Sequence, residues 1–173
     1  EAAKKMEEEG VGGLPILEND EKILGIVSER DLSGYMPSPA KSKVENYMTP
    51  KVVTLDPNVF LIDAMEEMIS KGFRRLPIIE DDSLVGIITS VDVLNYFGSG
   101  EIFKNMSSGD AANALHVEVE KVMTEGPVCC GPEDDVGDTA RKMKESGFGG
   151  LPVIKDEELI GIITERDIIE ALL

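Results

Sequence analysis

Residues 161–173 read GIITERDIIEALL, and the phrase has two earlier copies, GIVSERDL at 25–32 and GIITSVDVL at 86–94. Each opens on glycine, runs through β-branched residues to a Ser or Thr, and enters a helical pattern with an acid three residues later. Upstream of each copy lies an acidic turn, ENDEK, EDDS or KDEE, and before that a second apolar run: GVGGLPIL at 10–17, GFRRLPII at 72–79 and GFGGLPVI at 147–154. Two short β-branched runs split by a polar turn read as a hairpin. Further upstream, FLIDAMEEMISKG at 60–72 puts Ala64, Met65, Met68 and Ile69 on one helical stripe, and Gly72 ends the helix. VVTLDP at 52–57 adds an opening strand, with Asp56-Pro57 turning into the helix.

The unit is therefore β-α-β-β-α, an α/β (α+β) fold written three times. The third copy repeats the order with PVCC, a helix over 134–146, LPVIK, LIGIIT and a helix over 165–172. The first copy starts at its helix, residues 1–9, and lacks the opening strand. The chain begins with Glu rather than Met and begins inside a helix, which reads as a fragment or a trimmed chain whose true N-terminus lies elsewhere. A unit of about 55–60 residues is marginal alone, so units should pair and bury their open faces. The division read from these landmarks is a partial repeat at 1–35, repeats at 44–97 and 118–173, and a linker at 98–117 in which Ile102, Phe103 and Met106, and then 111–115, suggest short amphipathic helices.

Bulk properties exclude several classes. A net charge of −17, from 34 acids against 17 bases, repels a nucleic-acid backbone, and no run of Lys and Arg exceeds two residues. No apolar run reaches the roughly 18–20 residues that span a bilayer. Cys129 and Cys130 are adjacent, so on a strand they point to opposite faces and chelate one metal poorly; they read as small buried residues in a reducing cytoplasm. His116 stands alone. No nucleophile–base pair, paired acids or Gly-rich phosphate loop marks an enzyme.

The order YMT or VMT, strand, helix, G-x-x-x-L-P, then G-I-I-T-x-x-D resembles the CBS domain, named after cystathionine β-synthase. The resemblance covers nearly the whole chain apart from about 98–117 and implies pairing of repeats into Bateman modules. Repeats 2 and 3 would form one module; repeat 1 would pair with an absent repeat, as in four-copy proteins, or with repeat 2. It implies a regulatory function: sensing AMP, ADP or ATP, S-adenosylmethionine or methylthioadenosine in clefts between paired repeats, with no required cofactor and no metal. A cytoplasmic homodimer joined through CBS helices and a regulated protein partner are further implications. The alternatives are a dimerisation scaffold with empty sites, or the regulatory part of an IMP dehydrogenase-like protein whose catalytic domain is absent here.

Ser28/Asp31, Thr89/Asp92 and Thr164/Asp167 each sit where a strand enters a helix. A Ser or Thr with an acid three residues on is close to a helix capping box. A capping box favours the longer Glu or Gln, whereas all three copies have Asp, so the short carboxylate is read as free to take ribose hydroxyls, with the hydroxyl and amides holding phosphate. The family implies the same roles, strongest for Asp92 and Asp167, and implies that Leu76-Pro77 and Leu151-Pro152 line the adenine slot. Repeat 2 has Arg74-Arg75 where the others have Gly12-Gly13 and Gly149-Gly150. Guanidinium groups suit phosphate, so that repeat is read as taking a phosphorylated ligand; Arg30 and Arg166 could add charge.

Overall fold

The computed structural model describes residues 1–19, 21–100 and 116–173; the helices expected within the linker lie outside them. In chain order the elements are α1 (Ala2–Glu9), β1 (Gly13–Glu18), β2 (Lys22–Ser28), α2 (Glu29–Ser33), β3 (Thr49–Pro50), α3 (Leu61–Lys71), β4 (Arg75–Glu80), β5 (Ser83–Thr89), α4 (Ser90–Gly98), β6 (Thr124–Glu125), α5 (Val136–Ser146), β7 (Gly150–Lys155), β8 (Glu158–Thr164) and α6 (Glu165–Glu170). They fall into two compact units. One holds Lys51–Val128 with Asp156–Leu159; the other holds Glu1–Pro50, Cys129–Lys155 and Ile160–Leu173.

The repeat-2 unit carries the sheet β4-β5-β6. Asp81 and Asp82, the two residues joining β4 to β5, have φ of 47° and 63°, the left-handed pair a two-residue hairpin needs. Asp tolerates that region, which is why the turn is acidic. Leu61, Ala64 and Met68 of α3 pack on Leu76, Ile78, Ile88, Val93 and Val119. The helix stops at Gly72, φ 69°. Ile69 does not join this stripe; it is 78% exposed, because Met68 one position earlier takes the inward slot.

The opening strand is shorter than the sequence suggests. Within 52–57 the pairing to Ile78 is one parallel bridge at Leu55, whose N–H donates to the Pro77 carbonyl at 3.1 Å and whose carbonyl accepts from Ile79 at 2.9 Å. Asp56-Pro57 turns the chain away at once. The third strand comes instead from the Met-Thr segment: Thr124 faces Ile87 and Glu125 faces Gly86 across β5.

In the other unit, repeat 3 forms the sheet β3-β8-β7, with Thr49 facing Ile162 and Pro50 facing Gly161; β1-β2 stands as a two-stranded hairpin. Cys130 makes the single parallel bridge, to Val153, that Leu55 makes in repeat 2. Burial pushes the Cys130 thiol up to about 12.

Repeat 1 packs on repeat 3, a partner the sequence reading did not consider. α1 and α2 lie against α6. Arg30 Nε meets Glu165 Oε1 at 2.8 Å and Arg166 Nε meets Glu29 Oε1 at 3.3 Å, a reciprocal pair whose carboxylates are only 17% and 15% exposed. The chain leaving repeat 1 is clasped to the start of α5: Asp135 accepts from the amides of Ala40 and Lys41, each at 2.7 Å, while capping Gly137 N at 2.8 Å. Arg30→Glu is expected to cost about 1 kcal/mol, and adding Glu165→Arg to recover most of it, in urea melts arranged as a double-mutant cycle.

Candidate functional site

The three helix entrances share one local geometry. β2, β5 and β8 each end in extended backbone at Ser28, Thr89 and Thr164, and the next residue begins α2, α4 or α6. The first helical amide returns to the residue that precedes the inner strand: Glu29 N to Gly12 O at 3.0 Å, Ser90 N to Arg74 O at 2.9 Å, Glu165 N to Gly149 O at 3.2 Å. Each entrance is thereby tied to the G-x-x-x-L-P element of its own repeat.

A full capping box forms at all three. The cap amide donates to Asp Oδ2 at 2.8 Å in repeats 1 and 2 and 2.6 Å in repeat 3. The cap hydroxyl donates to the same oxygen at 2.6, 2.6 and 2.8 Å. Asp is therefore long enough to close the box, and its shortness is no argument for a free carboxylate. What the geometry leaves is one oxygen per side chain: Oδ2 carries both capping bonds, and Oδ1 lies outside the box. Oδ1 of Asp92 meets the Thr124 hydroxyl at 3.4 Å.

Two of these identical boxes differ electrostatically. The Ser28 hydroxyl and amide hold Asp31 below the usual carboxylate range, and Asp31 is exposed. Burial outweighs the Thr164 bonds at Asp167 and raises it. Carbon-13 carboxylate titration should therefore find Asp31 titrating below Asp167. The signs for stability are opposite. The Asp31 contribution is present above its unfolded-state value and lost as pH falls through its depressed folded one. The Asp167 charge is a cost that appears as pH rises through its raised value.

Leu76, Pro77, Leu151 and Pro152 are buried, while their repeat-1 counterparts Leu14 and Pro15 are half-buried and exposed. Arg75 is half-buried at the start of β4 and faces Thr89 across the hairpin; Arg74 is exposed. The Arg-for-Gly difference has a packing counterpart. A Cβ at Gly12 would stand 3.3 Å from Glu29 Oε2, so small Gly12 goes with large Glu29, and large Arg74 goes with small Ser90. Arg30 and Arg166 are held in the ion pairs to Glu165 and Glu29, which corrects their reading as spare phosphate charge.

Sequence reasoning missed the Met-Thr strands as site-builders. Thr124 reaches Asp92, and its signal was the threonine shared by YMT and VMT. Among the described residues, no group of three His, Cys, Asp or Glu is placed to hold a metal ion, and no helix is long and apolar enough to cross a membrane. A groove of about 400 Å³ beside α5, lined by Asp134, Asp138, Arg141, Lys142 and Glu145 among others, includes none of the helix-entrance residues.

The CBS domain pattern matches residues 1–38, 44–99 and 119–173. The uncharacterized protein MJ1225 of Methanocaldococcus jannaschii is 31% identical over 173 residues, 98% of this chain and 62% of that relative's length. Its crystal structure superposes with a TM-score of 0.91 at 29% identity, over 99% of this chain and 63% of the other. CBSX2 in complex with AMP matches 75% of this chain and 95% of its own at 30% identity and a TM-score of 0.63. The CBS domain pair of MJ0100, in complex with 5-methylthioadenosine and S-adenosyl-L-methionine, matches 76% of this chain and 95% of its own at 26% identity and a TM-score of 0.62. The chain spans less than two thirds of the length of MJ1225. Three matched segments, one order of strands and helices and one capping geometry make the chain a member of the CBS domain family, built around a tandem CBS pair.

Proposed function

We propose that this chain is a regulatory module that binds an adenosine-containing ligand, AMP, ADP, ATP, S-adenosylmethionine or methylthioadenosine, at the helix entrances of repeats 2 and 3, and carries no chemistry of its own. The observation that supports it most is the division of labour within each Asp: Oδ2 caps the helix, and Oδ1 is left to accept from a ribose hydroxyl. CBSX2 was solved with AMP, and the MJ0100 pair with methylthioadenosine and S-adenosylmethionine. The segments Leu76-Pro77 and Leu151-Pro152, whose side chains are buried, would set backbone groups beside a purine rather than an open apolar face. Arg74 and Arg75 favour a phosphorylated ligand in repeat 2; repeat 3, with glycines there, suits phosphate on Thr164 and backbone amides, or an uncharged or cationic adenosyl group. The Ser28/Asp31 entrance is the weakest of the three, since beside it Leu14 is half-buried and Pro15 exposed. A thermal-shift series with AMP, ATP and S-adenosylmethionine tests the reading, since a ligand that binds the folded state raises its stability by mass action. No shift at millimolar ligand would favour the scaffold alternative. Regulation would follow if the ligand bound two arrangements of the module unequally.

A cytoplasmic homodimer is part of the same proposal. Its candidate surface is the apolar exterior of repeat 2, Ile69 on α3 with Val91 and Leu94 on α4, all exposed. The repeat-3 counterpart of Leu94, Ile169, is buried where α6 meets repeat 1. Leu94→Glu is expected to turn a dimer into a monomer in sedimentation velocity; a chain that sediments identically with and without the substitution refutes that surface.

A further inference from the structure

Met123 and Met48 each lie on a bare glycine. A Cβ on Gly86 would stand 2.3 Å from Met123 Sδ, and a Cβ on Gly161 would stand 2.7 Å from Met48 Sδ. The thioether uses the room that a side chain on the glycine would fill. Each methionine directly precedes a two-residue strand at the edge of a hairpin, β6 against β5 and β3 against β8. Two ladder pairs hold such a strand: Gly86 with Glu125 and Ile87 with Thr124, or Gly161 with Pro50 and Ile162 with Thr49. Pro50 has no N–H to give, so the second ladder leans still more on its methionine.

The same two methionines are within reach of solvent. Met6, Met68 and Met143 are 1%, 6% and 2% exposed, whereas Met48 and Met123 are half-buried. Met123 packs at the margin of the repeat-2 core. Hydrogen peroxide can pass one oxygen atom to the sulfur lone pair: an S–O bond forms as the O–O bond breaks, the sulfur loses two electrons, and the peroxide leaves as water. The sulfoxide is polar and larger by one oxygen. Seated on glycine, it either pushes the strand outward or buries an acceptor that an apolar seat supplies with no donor. Burial raises both cysteine thiols, which keeps them from the reactive thiolate form.

We infer that Met123 and Met48 are peroxide-oxidation sites, and that conversion to the sulfoxide unseats the short strand following each of them, a change that methionine sulfoxide reductase reverses. In repeat 2 the effect runs on to the helix entrance, because Thr124, the next residue, is the one whose hydroxyl meets Asp92 Oδ1. The Gly126 amide, which donates to the Val85 carbonyl at 3.1 Å just beyond β6, is released with it. The switch acts on the edge strands themselves and does not depend on adenosine binding.

The probe is hydrogen peroxide, added at millimolar concentration to the intact chain. Peptide mass mapping should find the added oxygen on Met48 and Met123 before Met68 and Met143. In the oxidised chain, hydrogen exchange over 123–126 should quicken at least tenfold while exchange over β4 stays as before. Methionine sulfoxide reductase with a dithiol should restore the slow exchange, and the dithiol alone should not, which separates the methionines from the cysteines. Gly86→Ala should quicken the same exchange at least tenfold with no oxidant, in a chain whose melting curve still reports folding. A chain grown with norleucine in place of methionine keeps the shape of the seat without the sulfur, and should hold its slow exchange through peroxide. Met123 as slow to oxidise as Met68 would overturn the inference. So would exchange over 123–126 that neither the sulfoxide nor Gly86→Ala alters, or a norleucine chain that peroxide loosens as much as the parent.

Discussion

Calorimetric titration of AMP and of S-adenosylmethionine into the Asp92→Ala, Asp167→Ala double variant is expected to give no resolvable heat where the parent chain gives a binding isotherm. Hydrogen bonds to a charged group are worth about 1.5–3 kcal/mol each, so losing the carboxylate at one entrance should weaken binding there by roughly 10- to 100-fold. The substitutions also remove two helix caps, at about 1 kcal/mol each. That loss lowers the melting temperature but leaves the chain folded at the temperature of the titration, which a melting curve checks. Asp→Asn at the same two positions separates the effects: an amide retains an acceptor oxygen for the cap and forfeits the charge. Uptake unaltered in the double Ala variant would mean that the carboxylates serve the helices alone, and the scaffold reading would stand in place of the sensor.

Gly137→Ala is expected to destabilise the repeat-1/repeat-3 unit by about 3 kcal/mol, the upper range for overpacking. At the scale of a 150–250-residue protein that corresponds to a fall in melting temperature of roughly 6–12 °C. A Cβ there would stand 1.8 Å from the Pro37 carbonyl oxygen, a backbone atom that cannot swing aside. The opposite sign follows from helix propensity alone, which favours Ala over Gly by about 1 kcal/mol within a helix. Differential scanning calorimetry therefore distinguishes the two arguments by direction. A rise in melting temperature would mean that the 37–44 segment does not lie on α5 as described.

The repeat, its β-α-β-β-α order and the three Ser/Thr-x-x-Asp entrances were legible because each rests on a local rule: period, turn chemistry or cap spacing. What the sequence obscured were contacts between distant segments. Glu29-Arg30 and Glu165-Arg166 look like solvated charges until they are seen to be reciprocal. The short VVTLDP run has the composition of a strand, yet the proline leaves Leu55 alone in register. Ile69 fits the apolar stripe by spacing and misses it by one position. The capping box at Asp was misjudged from average preferences, although the extended cap residue brings its amide close enough for a short side chain. The Arg74-Arg75 difference suggested a ligand, but Gly12 under Glu29 shows that packing explains part of it.

The crossing of short strands has a consequence for how the polypeptide matures on the ribosome. β5 emerges with its outer edge bare and must wait for Thr124 and Glu125 to be translated before that edge is closed. Thr49 and Pro50 emerge earlier still, yet their partners in β8, Ile162 and Gly161, are translated only after the whole of repeat 2. Neither sheet can be finished as its own repeat leaves the exit tunnel, so a nascent chain halted near residue 100 would present an open β-edge to chaperones rather than a completed domain.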